Sequence, residues 1–115
     1  MKDQDTTVAA IKNMVQEFVD QREWEQFHDP KNLSMSIAIE AAELLEHFQW
    51  LRSDQLAELG ENPVAMAGIE EELADVFCYV LSFASAMGID LCAALESKMV
   101  KNREKYPVEK FKGRF

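Results

Sequence analysis

Two pairs of carboxylates recur at the same spacing in the middle of this 115-residue chain: Glu40 with Glu43, and Glu72 with Asp75. Glu40 and Glu72 each lie three residues after one apolar residue and four before another, so each interrupts the apolar stripe of a predicted helix. Residues three apart in a helix lie on adjacent turns, about 5 to 6 Å apart at Cβ. Each pair should therefore point in one direction, toward the interior of a helical bundle.

Four carboxylates gathered in an interior would repel one another, and burial of an unpaired carboxylate is unfavourable. Neither of the two predicted helices carries a lysine or arginine that would neutralise them. A divalent cation would resolve both problems, and ligation by oxygen alone favours Mg²⁺, with Mn²⁺ as a substitute. The spacing alone leaves one alternative open, in which these acids form the solvated faces of two amphipathic helices.

Helical periodicity runs through most of the chain, and prolines and glycines divide it into four helices. The first starts near residue 8, after a cap at Asp5 or Thr6, and is broken at 28–30. The others are predicted at about 32–51, at 63–87, and from a cap at Asp90 to about 106. No segment alternates as a strand should. The prediction is an all-α, four-helix-bundle-like fold in a single domain, 1–115.

Charge is distributed unevenly, with a net charge of −9. Nine acids and no base lie between Arg52 and Lys98, whereas residues 98–115 hold seven bases and two acids. Coating polymeric nucleic acid would need more positive charge, so a cation site beside an anion site is the better interpretation. No apolar run reaches the ~20 residues that span a bilayer. We predict no membrane partner, and the absence of a signal-peptide pattern favours a cytoplasmic location.

The acidic pairs belong to an ordered set of motifs. ExxE at Glu40 and Glu43 is followed after 28 residues by ExxD at Glu72 and Asp75, and the accompanying stretches are REWEQFHDPKNL, HFQW, EELADVFCY and SKMVKNREKYP. Together they resemble the MazG-like all-α nucleoside triphosphate pyrophosphohydrolases, most closely the dCTP pyrophosphatase branch. The resemblance implies a bundle assembled into dimers or tetramers, Mg²⁺ on the four acids, and cleavage of a nucleoside triphosphate to the monophosphate and pyrophosphate. Val15 departs from the pattern, because the branch can carry a histidine there.

Large flat rings make four further residues candidates for a base pocket: Trp24, Phe27, His28 and Trp50. Tyr79, four residues after Asp75, points the same way as the acids and is a candidate for contact with the sugar. The alternative for each ring is core packing, to which Phe18, Phe77 and Phe83 are assigned. His47 is interpreted as a surface histidine.

Lys98 and Asn102 lie four residues apart and so share a helix face, and the resemblance places both near the substrate. A solvated helix surface is the alternative for both. Arg103 and Lys105 are weaker candidates for phosphate contact. The chain offers no glycine-rich phosphate loop, so metal and bases would have to hold the triphosphate.

Hydrolysis between the α and β phosphates needs a positioned water, in-line approach and neutralised phosphate oxygens. We assign Glu40, Glu43, Glu72 and Asp75 as the Mg²⁺ ligands, one of them also orienting or deprotonating the water. Two other functions stay open. A carboxylate-bridged di-iron bundle needs Glu-x-x-His on two helices, which the two histidines of this chain do not provide. A non-catalytic helical binding module would use the acids for solubility and the aromatic residues for a partner.

Overall fold

The computed structural model describes residues 1–114, in which helices are joined by turns and no strand occurs. The helices in chain order are α1 (Val8–Gln21), α2 (Pro30–Glu46), α3 (Ser53–Leu56), α4 (Pro63–Met87), α5 (Leu91–Lys105) and α6 (Val108–Phe111). Two 3₁₀ turns, Glu25–Phe27 and Leu59–Glu61, lie in the connections. The all-α prediction is confirmed, and the four long helices are α1, α2, α4 and α5.

Side-chain caps start all four long helices. In each, an oxygen of the N-cap residue accepts a backbone N–H of the first turn; these residues are Thr7, Asp29, Asn62 and Asp90. Pro30 and Pro63 follow two of the caps at the first helical position, where the missing N–H has no intrahelical acceptor to lose. The cap of α1 is therefore Thr7, and the prediction of Asp5 or Thr6 is wrong.

The ends of the helices differ in how clearly the sequence marks them. Gly88 ends α4 in the left-handed region, at φ 66°, as its position before Asp90 predicts. The end of α2 is less well marked, and the predicted extension to residue 51 is wrong. Helix α2 stops at Glu46, and residues 47–50 form turns.

The core lies where α1 and α2 pack against α4. Its buried apolar residues are Val19, Leu33, Leu81 and Ala84. The helix pair α2 and α4 forms the most extensive contact, and α1 packs on another part of α4. Phe18 and Phe77, which the sequence assigned to the core, are 46% and 47% exposed, so their assignment to the core is wrong. The chain therefore has a small core and large uncovered apolar side chains.

Helix α5 turns away from the packed helices. It leaves α4 at an angle of 100° and packs only weakly against the other elements. The Lys12 ammonium on α1 donates a hydrogen bond of 2.9 Å to the carbonyl oxygen of Ile89, in the connection between α4 and α5. Among residues 1–114, none of the helices alone has both the length and the apolar composition of a bilayer span, whereas α4 and α5 taken together as one bent segment do.

Candidate metal centre

Helices α2 and α4 run antiparallel and pack against each other. Each presents four residues to the other helix, and along both helices these residues are spaced by four, three and four positions. On α2 and just beyond its end these are Ser36, Glu40, Glu43 and His47, and on α4 they are Gly68, Glu72, Asp75 and Tyr79. His47 contacts Gly68 at one end of the series, and Ser36 lies beside Tyr79 at the other. The four acids are the two middle pairs of this series, so the pairing of the helices places them on one shared face.

Three of the four acids form a close cluster. Oxygen atoms of Glu40, Glu43 and Glu72 lie within 4.8 Å of one another, and all three side chains are half-buried. Asp75 is exposed and stands outside this group of three, although its charge acts on both Glu40 and Glu72. The structure thus gathers three predicted ligands and places the fourth at the edge of the cluster.

The crowding of these acids raises their proton affinity. The pKa of Glu40 rises from 4.5 to about 7, first through a hydrogen bond with the Glu43 carboxyl, then through burial and the negative charges of Glu43, Asp75 and Glu72. The pKa of Glu72 is also raised, mainly by burial, then by Glu43 and Asp75. These carboxyls therefore hold protons more tightly when no cation balances their charge.

Two oxygen atoms in the cluster have no partner. Oε2 of Glu40 and Oε2 of Glu72 are buried, although their residues are partly exposed, and neither atom accepts a hydrogen bond from residues 1–114. An unsatisfied buried oxygen is unfavourable, and a cation would satisfy several at once. Because the oxygen atoms that could ligate a metal all belong to carboxylates, the residues present fit a hard divalent cation.

His47 lies beside the cluster, and its interpretation as a surface histidine is wrong. The ring is half-buried: its Cε1 lies 2.9 Å from the position that a Cβ atom on Gly68 would occupy. The charge of the imidazole also lowers the pKa of Glu72, against the larger effects that raise it. The sequence carried one signal of this position, because His47 follows Glu43 by four residues and so continues the stripe of acids.

Tyr79 closes the opposite end of the cluster, as its spacing from Asp75 predicts. Burial raises the pKa of its phenol, the charges of Glu40, Cys78 and Asp75 add to this, and a contact with the Ser36 side chain lowers it. The phenol is half-buried and lies near Glu40. Tyr79 is thus part of the same face as the acids.

The predicted base-pocket rings are largely open to solvent in one chain. Trp24, Phe27 and Trp50 are 43%, 60% and 85% exposed. Trp24 packs edge-on against Phe18, with 5.7 Å between ring centroids, and His28 lines a cavity of about 490 Å³ beside Val19 and Ser82. With three of the four rings this exposed, these side chains do not enclose a base within one chain.

A profile of the MazG-like family matches residues 35–114, which include all four acids. The chain belongs to the MazG-like family.

A pyrophosphatase of known structure from Archaeoglobus fulgidus superposes on this chain with a TM-score of 0.82 and is 41% identical in sequence, and the match covers 93% of this chain and 98% of that one. The proteins named dCTP pyrophosphatase 1 from Rattus norvegicus and Homo sapiens are 38% identical over 93% of the chain and 40% identical over 88%. The resemblance to the family is confirmed. This MazG-like chain spans 63% and 59% of the length of those two relatives.

Helix α5 carries the predicted phosphate contacts of this MazG-like chain. Lys98 is exposed, and Asn102 is half-buried, with its amide 3.8 Å from the sulfur of Met99. Along the axis of α4, Asp75 lies about 18 Å from the end of the helix, at 1.5 Å per residue. Because α5 then departs at 100°, Lys98 and Asn102 are not brought to the acids within one chain.

Proposed function

We propose that this chain hydrolyses deoxynucleoside triphosphates, with dCTP or a modified dCTP-like nucleotide as substrate, to the monophosphate and pyrophosphate, and so clears them from the nucleotide pool. The observation that carries this proposal is the cluster of Glu40, Glu43 and Glu72, with two buried oxygens that lack partners. The names of the relatives, dCTP pyrophosphatase 1 and pyrophosphatase, support the reaction and the substrate.

The acids have distinct parts in the proposed reaction. Glu40, Glu43 and Glu72 would hold Mg²⁺, with Mn²⁺ as a substitute, and the bound ion would supply positive charge against the phosphate oxygens. Asp75 stands at the exposed edge of the cluster. It completes the ligand set, and its exposure leaves it an oxygen with which to orient the attacking water. Tyr79, at the other end of the acid face, packs against the sugar.

The remaining contacts are proposed to come together in a homo-oligomer, a dimer or a tetramer. The accessible surface is 9319 Å², whereas a compact monomer of this mass exposes about 6,400 Å². The radius of gyration is 17.3 Å, against about 13 Å for a compact domain of this length. A second copy of the chain would cover the surface that one chain exposes in excess of a compact monomer. Lys98 and Asn102 of α5 would then bind phosphate, and Trp24, Phe27, His28 and Trp50 would stack on the base, at a site completed between copies.

We place this activity in the cytoplasm. Cys78 and Cys92 are free thiols, which suits a reducing compartment. The whole of 1–115 is proposed to act as one domain, because the acids come from two helices of the same core. Polymeric nucleic acid and membranes are not among the proposed partners, given the acidic middle of the chain.

The test measures pyrophosphate release from a panel of nucleoside and deoxynucleoside triphosphates with Mg²⁺. We expect dCTP or a modified dCTP to be the preferred substrate. Glu43→Gln and Glu72→Gln should each lower kcat/KM by more than about a hundredfold, because each removes a charged ligand. Circular dichroism should show the helices retained.

Glu46→Gln is the matched control, since Glu46 is exposed and lies outside the acid cluster. It should leave the rate unchanged. Activity at the wild-type level in both Glu43→Gln and Glu72→Gln would end the assignment of this site.

A further inference from the structure

His47 lies where the two acid-bearing helices meet. It caps the C-terminus of α2, and its backbone N–H donates to the carbonyl oxygens of Leu44 and Leu45. The residue follows Glu43 by one turn, and its ring reaches across to α4. The backbone of His47 is thus fixed to one helix while its side chain contacts the other.

Gly68 makes room for the His47 ring. A Cβ atom on this residue would lie 2.9 Å from Cε1, 3.6 Å from Nε2 and 3.7 Å from Nδ1. The first distance is shorter than real contacts of a Cβ atom, so any side chain at position 68 would displace the ring. Gly68 lies inside α4 without a positive φ, where alanine is the more stable residue. The ring explains why a glycine stands there.

The ring that packs against Gly68 lies one helical turn from the position of Glu72 on α4. Gly68 precedes Glu72 by one helical turn, which places both on the same side of α4. Glu72 carries one of the two buried oxygens without a partner, and the imidazole is close enough to act on its charge. The repulsion among Glu40, Glu43 and Glu72 would drive their side chains apart, and His47 occupies the position next to Glu72 at one end of the acid face.

We propose that His47 is a positioning residue, which is seated in the space left by Gly68 and holds the Glu72 carboxylate toward a divalent cation. This role rests on the proposed metal-binding function of the acid cluster. His47 touches neither the cation nor the substrate in this arrangement. It acts through Glu72, as residues that orient metal ligands from outside commonly do.

The test is a calorimetric titration of the nucleotide-free full chain with Mn²⁺ alone. We expect His47→Leu, which fills similar space without polar atoms, to raise the dissociation constant about tenfold. Gly68→Ala should act in the same direction, because it moves the ring and leaves the histidine chemically intact. His47→Gln keeps a side-chain N–H and should restore much of the affinity lost in His47→Leu.

Glu46→Gln, which alters an exposed neighbour of His47, should bind Mn²⁺ as the wild type does. A purely structural role would lower the melting temperature of the variants and leave the Mn²⁺ dissociation constant within twofold of wild type, and that result overturns the proposal. If His47→Leu does not fold, Gly68→Ala and His47→Gln decide the question. Failure of the wild type itself to bind Mn²⁺ would overturn the metal assignment together with this role of His47.

Discussion

Glu40, Glu43 and Glu72 are unfavourable neighbours for one another. Their oxygens lie within 4.8 Å, and like charges at such distances destabilise a fold unless a proton or a cation balances them. Without a cation, protons do so, as the raised pKa values of Glu40 and Glu72 indicate. The state of this cluster should therefore depend on both pH and metal.

We expect the metal-free protein to lose stability as the pH rises from about 5 to about 8. Folding raises the pKa of Glu40 from 4.5 to about 7, so the folded chain binds this proton more tightly than the unfolded chain. The resulting stabilisation is complete below the unfolded pKa and is lost as the pH passes through the folded one. Thermal denaturation in the presence of a chelator at pH 5 and pH 8 measures the difference.

A Glu40→Gln variant serves as the control, because it cannot ionise at that position. Its melting temperature should change less between the two pH values than that of the wild type. An equal change in both proteins would contradict a role for Glu40 in the pH dependence. Saturating Mg²⁺ should reduce or reverse the decline, because the cation favours the ionised acids.

The sequence predicts the acids of this site better than their neighbours. Their interruption of the apolar stripes indicated an inward direction for Glu40 and Glu72, and the structure brings both together with Glu43. His47 was missed because a histidine at the end of a stripe has the same pattern whether it packs or is solvated. Only the facing glycine distinguishes the two cases, and Gly68 lies 21 residues away in sequence.

At the scale of elements, the starts of α4 and α5 were predictable, whereas the cap of α1 and the end of α2 were not. Asn62-Pro63 and Asp90 combine caps with backbone constraints, so α4 and α5 begin where predicted. The stretch after Glu46 contains neither glycine nor proline, and its apolar spacing continues to Leu51. Nothing local therefore marked the end of α2, and the contact of His47 with Gly68 on α4 is made at the residue where this helix ends.

Gly88→Ala should destabilise the protein by about 1 kcal/mol. Gly88 has φ 66°, and an L-residue with a Cβ atom is strained in this left-handed region. No atom lies within 4 Å of the added Cβ, so the loss would come from the backbone alone. Urea denaturation of the variant measures the free energy of unfolding.

Gly60→Ala is the matched control for this substitution. Its added Cβ also meets no atom within 4 Å, and Gly60 is not among the residues with positive φ. Alanine there should be neutral or slightly stabilising, because it reduces the freedom of the unfolded chain. Equal effects of the two substitutions would contradict the assigned role of the left-handed conformation at Gly88.

At the scale of the whole molecule, the chain is more open than its length requires. Among residues 1–114, only Val19, Leu33, Leu81 and Ala84 are buried apolar residues. The surface in excess of a compact monomer, about 2,900 Å², is large beside the roughly 800 Å² that one partner buries in a standard interface. The sequence predicted self-association from its resemblance to the family. It did not predict which faces remain uncovered, because that depends on the angle at which α5 leaves α4.

We expect the protein in solution to have a mass of two or four times 13.2 kDa. Light scattering coupled to size-exclusion chromatography measures it at micromolar concentration. The melting temperature should also rise with protein concentration, because association stabilises the folded chain by mass action. A mass of one chain, with full activity and a melting temperature independent of concentration, would contradict the proposed oligomer.

The hydrogen bond from Lys12 to Ile89 is made close to the first residue of the long helix α5. Helix α5 extends about 21 Å beyond its first residue, so a rotation of 10° in the connection Gly88–Asp90 moves its far end by about 4 Å. That displacement exceeds the reach of a hydrogen bond. A single ammonium group on the first helix thus restrains how far the basic residues at the other end of the chain can swing.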